Sequence, residues 1–414
     1  MKLSSIALIL IILCIGCSGK NYRKNSKQSN KSSAAHEPDW DKDTASTQNT
    51  EESAPDRPFQ KVRFEQDMTY GSTGEVLIGE MGSIAVDKQN RVFIEDEDQT
   101  TIQVFKPDGS YIKSLGRKGK GPGEFAILNA YTIPMVCSNK LYVPAISEFF
   151  TGKLQVFSLH NLSFSHVVKT LAENKNHYKL KKYFPKRVFP LKDGKFLVSY
   201  HQQPREYKEG VSYIRYFIQD QTGNIIAGPV LKQKDLTYLV YRYPNTHYDL
   251  ILNFPFFGKS LLSVSGNDHL YAVKNTQEFK IDVYTQNGRQ LRSFRYPFHN
   301  KPLSRGELLE RYKDKDKLLK MIQHADRLPE TWPALASMFI DDQNRIWVST
   351  IIDNDKVYEW WVMKDTGEVI TKFKWPRDKP VEQVRNNYMY TREMDAKNGI
   401  QEVVRYRIVQ TKNE

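Results

Sequence analysis

Apolar positions along this chain alternate with polar ones in short runs, and the runs come in pairs joined by a polar turn. The stretch VDKQNRVFIED at 86–96 returns almost unchanged as IDDQNRIWVST at 340–350. Alternation with period two is what a strand shows when one face is covered, and two such runs around a turn of Asp, Asn, Gly or Ser predict a β-hairpin. Recurrence over so long a separation points to one unit built many times.

Five such hairpins can be marked, at 84–94, 134–143, 187–200, 261–273 and 338–350. Each is followed by a second, at 102–116, 154–168, 215–230, 281–294 and 360–373, and four of these turn on Asp108-Gly109, Thr222-Gly223, Asn287-Gly288 and Thr366-Gly367. The repeating unit is therefore four strands, returning roughly every 50 to 75 residues, which fits propeller blades better than a sandwich of evenly spaced strands. Beyond the fifth unit, NNYMYTRE (386–393) and EVVRYRIVQ (402–410) supply inner and middle strands of a sixth, and its outer strand is missing. The segment FQKVRFEQD (59–67) has the alternation to fill that place. Pairing the two ends of the chain in one sheet would leave no open edge between blades.

The expected fold is all-β, a six-bladed β-propeller over 58–414 closed by an N-terminal strand. One helical insertion is predicted over about 303–326, with Ser304 as N-cap, Glu307 three residues on, and an apolar stripe from Leu308 to Ile322. Composition agrees, since Tyr 23, Phe 21 and Trp 6 in 414 residues favour strands.

The stretch GSIAVDKQNRVFIEDEDQTTIQVFKPDGSYIKSLGRKGKGPGEF (82–125) resembles an NHL repeat. Residues 1–16 have the Lys, the apolar run and the small-residue end of an export signal, and LCIGC resembles the lipobox of bacterial lipoproteins, with Cys14 where that pattern has Leu. The resemblance makes Cys17 the acylated new N-terminus, and Ser18 beside it implies sorting to an outer membrane. An ordinary secretory signal cleaved nearby is the alternative. With both features the chain is similar to six-bladed β-propeller lipoproteins of bacteria, held by lipid on the periplasmic or the cell-surface side. Residues 17–57 are rich in Ser, Asn, Lys, Thr and Asp and read as a flexible tether reaching on the order of 35 Å. Its basic first part either lies on anionic lipid or is simply solvated. Cys137 is left without a partner and is expected to be a buried strand residue.

In a four-stranded blade both hairpin turns lie on one rim of the ring, and the remaining connections lie on the other. Here the hairpin turns are short, whereas the opposite rim carries the excursions at 95–100, 116–125, 145–153, 171–184, 201–210, 232–250, 297–334 and 351–359. Long loops on a rigid scaffold are where binding is usually built, so this rim is the expected site.

Chemistry is sparse. None of the nine His has the paired spacing of a zinc site, although His177, His201, His247 and His324 fall in long-rim segments and His36 lies in the tether. EDED (95–98) and DNDK (353–356) could offer oxygens to calcium but lack the full loop of a calcium motif, and read as solvated turns. No nucleophile elbow or phosphate loop occurs, and GRKGKGPG offers Arg117, Lys118 and Lys120 to an anion. A net charge of +13 suits nucleic acid, but export argues against it and favours anionic glycans, lipid head groups or acidic partner proteins.

The function expected is that of a monomeric, lipid-anchored binding or scaffolding module of the cell envelope, with an envelope protein or anionic glycan as partner. The rival is a propeller-type, lactonase-like hydrolase or lyase with a metal in the central channel. Candidate ligand-binding residues are Glu95, Asp96, Arg117, Lys118, Lys120, His201, Asp353 and Asp355. No catalytic residue and no metal ligand is assigned, and no cofactor beyond calcium at the clustered carboxylates.

Overall fold

The structure, a computed structural model, describes residues 49–51, 61–71, 76–129, 132–147, 150–202, 212–242, 249–325, 327–396 and 398–411. Six blades of four antiparallel strands follow one another in chain order, and the sheet of the fourth carries one added parallel strand. Blade 1 holds Met81–Val86, Val92–Asp96, Thr101–Phe105 and Tyr111–Leu115, and blade 2 holds Met135–Cys137, Lys140–Ser147, Phe150–Ser158 and Ser163–Lys169. Blade 3 holds Tyr183–Pro190, Phe196–Gln202, Tyr213–Gln219 and Ile225–Lys234, and blade 4 holds Leu261–Val264, Leu270–Val273, Lys280–Tyr284 and Gln290–Arg295. Blade 5 holds Leu335–Ile340, Ile346–Thr350, Val357–Met363 and Val369–Pro376. In blade 6, Val381–Arg385, Tyr388–Met394 and Gln401–Thr411 are completed on the outside by Lys61–Tyr70.

The period-two pattern decides which neighbour each strand residue meets. In blade 1, Val92 and Ile94 join the apolar cluster shared with blade 6, whereas Phe93 between them joins the one shared with blade 2. In blade 5, Ile346 and Val348 face blade 4 while Trp347 packs with Val384, Met389 and Val404 of blade 6. Six interblade clusters arise this way, so both faces of every sheet are covered by a neighbouring sheet. The turns obey the residues that form them: Gly288 sits at φ 82°, and a Cβ there would run into the Val230 carbonyl of blade 3.

The predicted closure is present, with Lys61↔Thr411 through Tyr70↔Val403 in antiparallel register. One assignment shifts: the stretches at 386–393 and 402–410 are the second and third strands of blade 6, and the innermost is Val381–Arg385. That strand escaped the pattern because Glu382 and Gln383 interrupt it. Gln383 accepts the Val86 N–H of blade 1 at 2.8 Å, sealing the seam of the ring.

Several long-rim excursions carry structure of their own. The stretch at 145–153 is mostly strand, because the middle strands of blade 2 run on to Ser147 and restart at Phe150. Within 232–250 a separate hairpin begins, Tyr238–Arg242 with Asp249–Asn253, and 171–184 contains a 3-10 helix, Glu173–Tyr178. The single predicted helix is two, α1 (Arg305–Arg311) and α2 (Asp316–Gln323). Ser304 caps α1 as expected, its Oγ accepting the Glu307 N–H at 3.1 Å. Asp314 and the residues beside it break the helix, and Arg305 ties the two pieces together by donating to the Ile322 carbonyl at 2.7 Å and the Ala325 carbonyl at 2.8 Å. Leu308, Tyr312, Leu318, Met321 and Ile322 cover Phe254 and Phe256, a seventh apolar cluster on the long rim.

The export signal, Cys17 and most of the stretch read as a tether lie outside the described residues. Asn49–Glu51 within that stretch runs parallel to Ser293–Arg295 on the outside of blade 4. Cys137, expected to be buried, is half-buried at the end of the innermost strand of blade 2, with Sγ 3.6 Å from Ser138 Oγ. Among the described residues no helix is long and apolar enough to cross a membrane.

Candidate functional site

The face of blade 3 that meets blade 4 is apolar over most of its area, with Leu197, Tyr216, Ile218 and Val230 against Leu262, Leu270 and Ala272. Towards the long rim the same pleat continues in polar residues. Ser199 and His201 follow Leu197 at two-residue steps, Arg187 is the cross-strand partner of Ser199, and Asp235 follows the outermost strand.

These side chains form a relay. His201 Nδ1 lies 3.1 Å from Asp235 Oδ2, and His201 Nε2 lies 3.1 Å from Ser199 Oγ. Ser199 Oγ accepts the Arg187 backbone N–H at 2.9 Å, and Asp235 Oδ1 accepts the Leu236 N–H at 2.7 Å. Burial alone would raise the Asp235 pKa, but the His201 hydrogen bond and charge, with Lys186 nearby, hold it below the usual range. Burial pushes the His201 pKa down, and Lys186 and Arg187 add to that against the pull of Asp235. A neutral imidazole beside an ionised carboxylate carries its proton on Nδ1, leaving Nε2 to accept from the Ser199 hydroxyl. Asp, His and Ser stand in the order of a hydrolytic triad. Ser199 is fully buried, however, and its oxygen is committed to the Arg187 N–H, so the relay fixes His201 rather than arming a nucleophile.

Around the relay positive charge collects. Lys186 and Arg187 lie on the innermost strand of blade 3, which borders the central channel, and Lys259 leads into blade 4. Arg187 keeps solvent access although protein surrounds it. This confinement lowers its pKa and that of Lys259, and for Lys259 the Arg187 charge adds to the effect. Among the described residues no carboxylate lies within ion-pair distance of the Arg187 guanidinium or the Lys259 amine.

A cleft of about 200 Å³ opens beside this cluster, bounded by Lys234 and Asp235 leaving blade 3, Gly258, Lys259 and Ser260 leading into blade 4, Lys274, Asn275, Gln277 and Pro329. Asp235 and Lys259 thus belong to both the charge cluster and the cleft wall. All of the cleft belongs to the long rim.

Of the residues named from sequence, His201 alone falls in this cluster. Glu95 and Asp96, read as part of a solvated turn, are both fully buried. Glu95 Oε2 accepts the Ser83 N–H at 3.0 Å, and burial, aided by Glu97 and only partly offset by the Ser83 and Thr132 hydrogen bonds, pushes its pKa up to about 9. Arg117 is engaged by Glu124, Nε to Oε1 at 2.9 Å, while Lys118 pairs through its backbone with Phe125 and the Lys120 carbonyl accepts from Lys153 Nζ at 2.9 Å. Asp353 is almost wholly exposed. Asp355 is clasped by Lys301 at 2.9 Å and Arg311 at 2.6 Å, and these charges with Arg377 outweigh burial to hold its pKa low. His177 packs edge-on against Tyr178, and His324 Nδ1 meets the Lys320 carbonyl oxygen at 2.7 Å at the end of α2. His247 and His36 lie outside the described residues. Among the described residues no three of His, Cys, Asp and Glu gather as metal ligands. Sequence reasoning missed Arg187, Asp235 and Lys259. The signal available was their place on strand ends and connections of the long rim.

The fold defines the class, an all-β six-bladed propeller. A family described as 6-bladed beta-propeller matches residues 71–264, from just after the closing strand to the end of the first strand of blade 4. No curated protein matches the chain. Among solved structures it is similar to a Bacteroides fragilis protein taken to be exported, at 14% identity over 87% of this chain and 98% of that one, with a TM-score of 0.47. A member of the duf4221 family from Bacteroides vulgatus matches at 10% identity over 86% and 100%, TM-score 0.47. The PQQ-bound aldose sugar dehydrogenase of Streptomyces coelicolor matches at 11% over 85% and 100%, TM-score 0.42.

Proposed function

We propose that this chain is a lipid-anchored β-propeller of the bacterial cell envelope that acts as a binding module through its long-loop rim. The observation that carries the reading is the asymmetry of the two rims. One is closed by hairpin turns such as 87–90 and 285–289, whose backbone groups are satisfied by bonds within the turn. The other holds the helix pair, the extra hairpin and the polar cleft between blades 3 and 4. Anchoring at Cys17 rests on the lipobox resemblance and would keep the propeller at an outer membrane.

Two measurements test this. Replacing Cys17 by Ala is expected to move the protein from the membrane to the soluble fraction and to abolish incorporation of labelled palmitate. Photo-crosslinking residues placed on the long rim (Lys274, Asp353) and on the short rim (Asp108, Asp365) are then compared in intact cells. Adducts from the long rim alone are expected. Adducts only from the short rim would reverse the assignment of faces.

A further inference from the structure

We propose that the cleft between blades 3 and 4 binds a small ligand bearing one anionic group, a carboxylate, phosphate or sulfate, on a polar body of sugar size. The inference rests on the long rim being the binding face and names what that face takes.

Lys234, Lys259 and Lys274 line the cleft, and Arg187 stands within electrostatic reach of Lys259. Asp235 is the one carboxylate among the described lining residues, and its oxygens are already engaged by His201 Nδ1 and the Leu236 N–H. Lys274 has a distant partner, Asp282 at 3.6 Å, which also takes the Ser293 hydroxyl at 2.7 Å and lies 3.8 Å from Lys280. The described lining residues therefore leave the cleft with positive charge in excess of the carboxylates placed against it. Confined cations of this kind favour an anion that restores the solvation they have lost.

A cleft of about 200 Å³ is smaller than the roughly 300–1,000 Å³ of sites for drug-sized ligands, so one small unit or the end of a longer chain fits. Thr237 and Ser260 add hydroxyls to its wall, and Asn275, whose carbonyl oxygen accepts the Gln277 N–H at 3.1 Å, adds an amide. Neutral donors and acceptors beside a cationic centre suit hydroxyl groups beside an acid. The His201 relay supplies rigidity, since it holds the Asp235 carboxylate at 3.1 Å.

The test is calorimetric titration of the full chain with glucuronate, glucose 6-phosphate, glucose 6-sulfate and glucose. At least one anion is expected to bind and glucose to give no heat, and the arm that binds identifies the acid group. Lys259→Gln should weaken binding at least tenfold with an unchanged melting profile. Should that variant fold poorly, Lys274→Glu, at a half-exposed position, is expected to give a comparable loss. Glucose binding as well as the best anion, no binding of any anion, or unchanged affinity in both variants overturns the inference. If no anion binds while long-rim crosslinks persist, the inference falls alone. If both are absent, the proposed binding face falls with it.

Discussion

The Nε of Arg345 lies 2.6 Å from Oδ2 of Asp341, and in blade 1 Arg91 holds Asp87 at the same 2.6 Å. Each Asp also accepts two backbone N–H groups across its turn, from Gln89 and Arg91 in one case and from Gln343 and Arg345 in the other, at 2.8–3.0 Å. Asn90 and Asn344 follow at φ 59°, the left-handed conformation Asn tolerates. The repeated Gln-Asn-Arg is thus a hairpin clasp, and in blade 1 it also reaches its neighbours, with Arg91 donating to the Leu159 carbonyl and Asn90 Oδ1 accepting from Asn386, both at 2.6 Å. The side chain of Asp341 is fully enclosed and takes a fourth bond from Trp347 Nε1 at 2.8 Å.

Asp341→Ala is therefore expected to destabilise the propeller by about 3–5 kcal/mol, because it strands the half-buried Arg345 and the Trp347 indole without their acceptor. Urea denaturation followed by tryptophan fluorescence measures it. A loss under 1 kcal/mol would show that the clasp is dispensable.

Glu95 predicts a dependence on pH. Its pKa is about 9 in the fold against 4.5 for the free group, so the folded state binds the proton more tightly. Its stabilising contribution is then complete below about pH 4.5 and is lost as the pH rises towards 9, with a slope of up to ~1.4 kcal/mol per unit. Glu95→Gln should match the parent at pH 4.5 and exceed its stability by a few kcal/mol at pH 8, read from paired chemical denaturation curves. Parallel pH profiles for the two proteins would contradict the assignment.

Ser199→Ala removes the acceptor of the Arg187 N–H and the donor to His201 Nε2. A cost of about 1–3 kcal/mol is expected, together with a displaced His201 ring resonance in NMR titration. An unchanged titration would mean that the imidazole is positioned without the serine.

The closing strand gives a fourth prediction. Phe64 lies 4.6 Å from the ring of Phe373 and 5.2 Å from that of Trp375, and Asp67 is clasped by Arg405 at 2.6 Å. Phe64→Ala should cost about 2 kcal/mol, below the 3–5 typical of a fully buried Phe because this one is half-buried. A chain starting at residue 71 should lose its single cooperative melting transition, and a peptide spanning 59–71 added in trans should restore it.

The parts of the fold legible in the sequence are those whose causes are local. The clasp at 87–91 closes the bonds of the Asp87 carboxylate within five residues, the Xaa-Gly turns state their conformation in the dipeptide, and strand alternation reports burial by whichever blade comes next. Val381–Arg385 was not legible, because Gln383 answers to a backbone group of blade 1 almost 300 positions earlier. The helix at 303–326 divides at Asp314, although its apolar residues form one stripe. The site shows the same division. His201 could be singled out by residue type, but its meaning depends on Asp235 and Lys259, which the sequence keeps apart and only the stacking of blades 3 and 4 brings together. Glu95 misled for the opposite reason, since a run of four acids reads as solvated until the neighbouring sheet is in place.

The latch between Lys61–Tyr70 and Gln401–Thr411 also sets how the molecule meets mechanical load. Pulled from the residues before Lys61, the first three-residue pairing, Asn49–Glu51 on blade 4, yields early. The ten-residue strand behind it is tugged at Lys61, beside Thr411, while its partner is held by the chain at Gln401, the far end. Force then runs lengthwise and strains the whole ladder in shear instead of peeling it open one rung at a time, so a brittle outer contact guards a much tougher fastening.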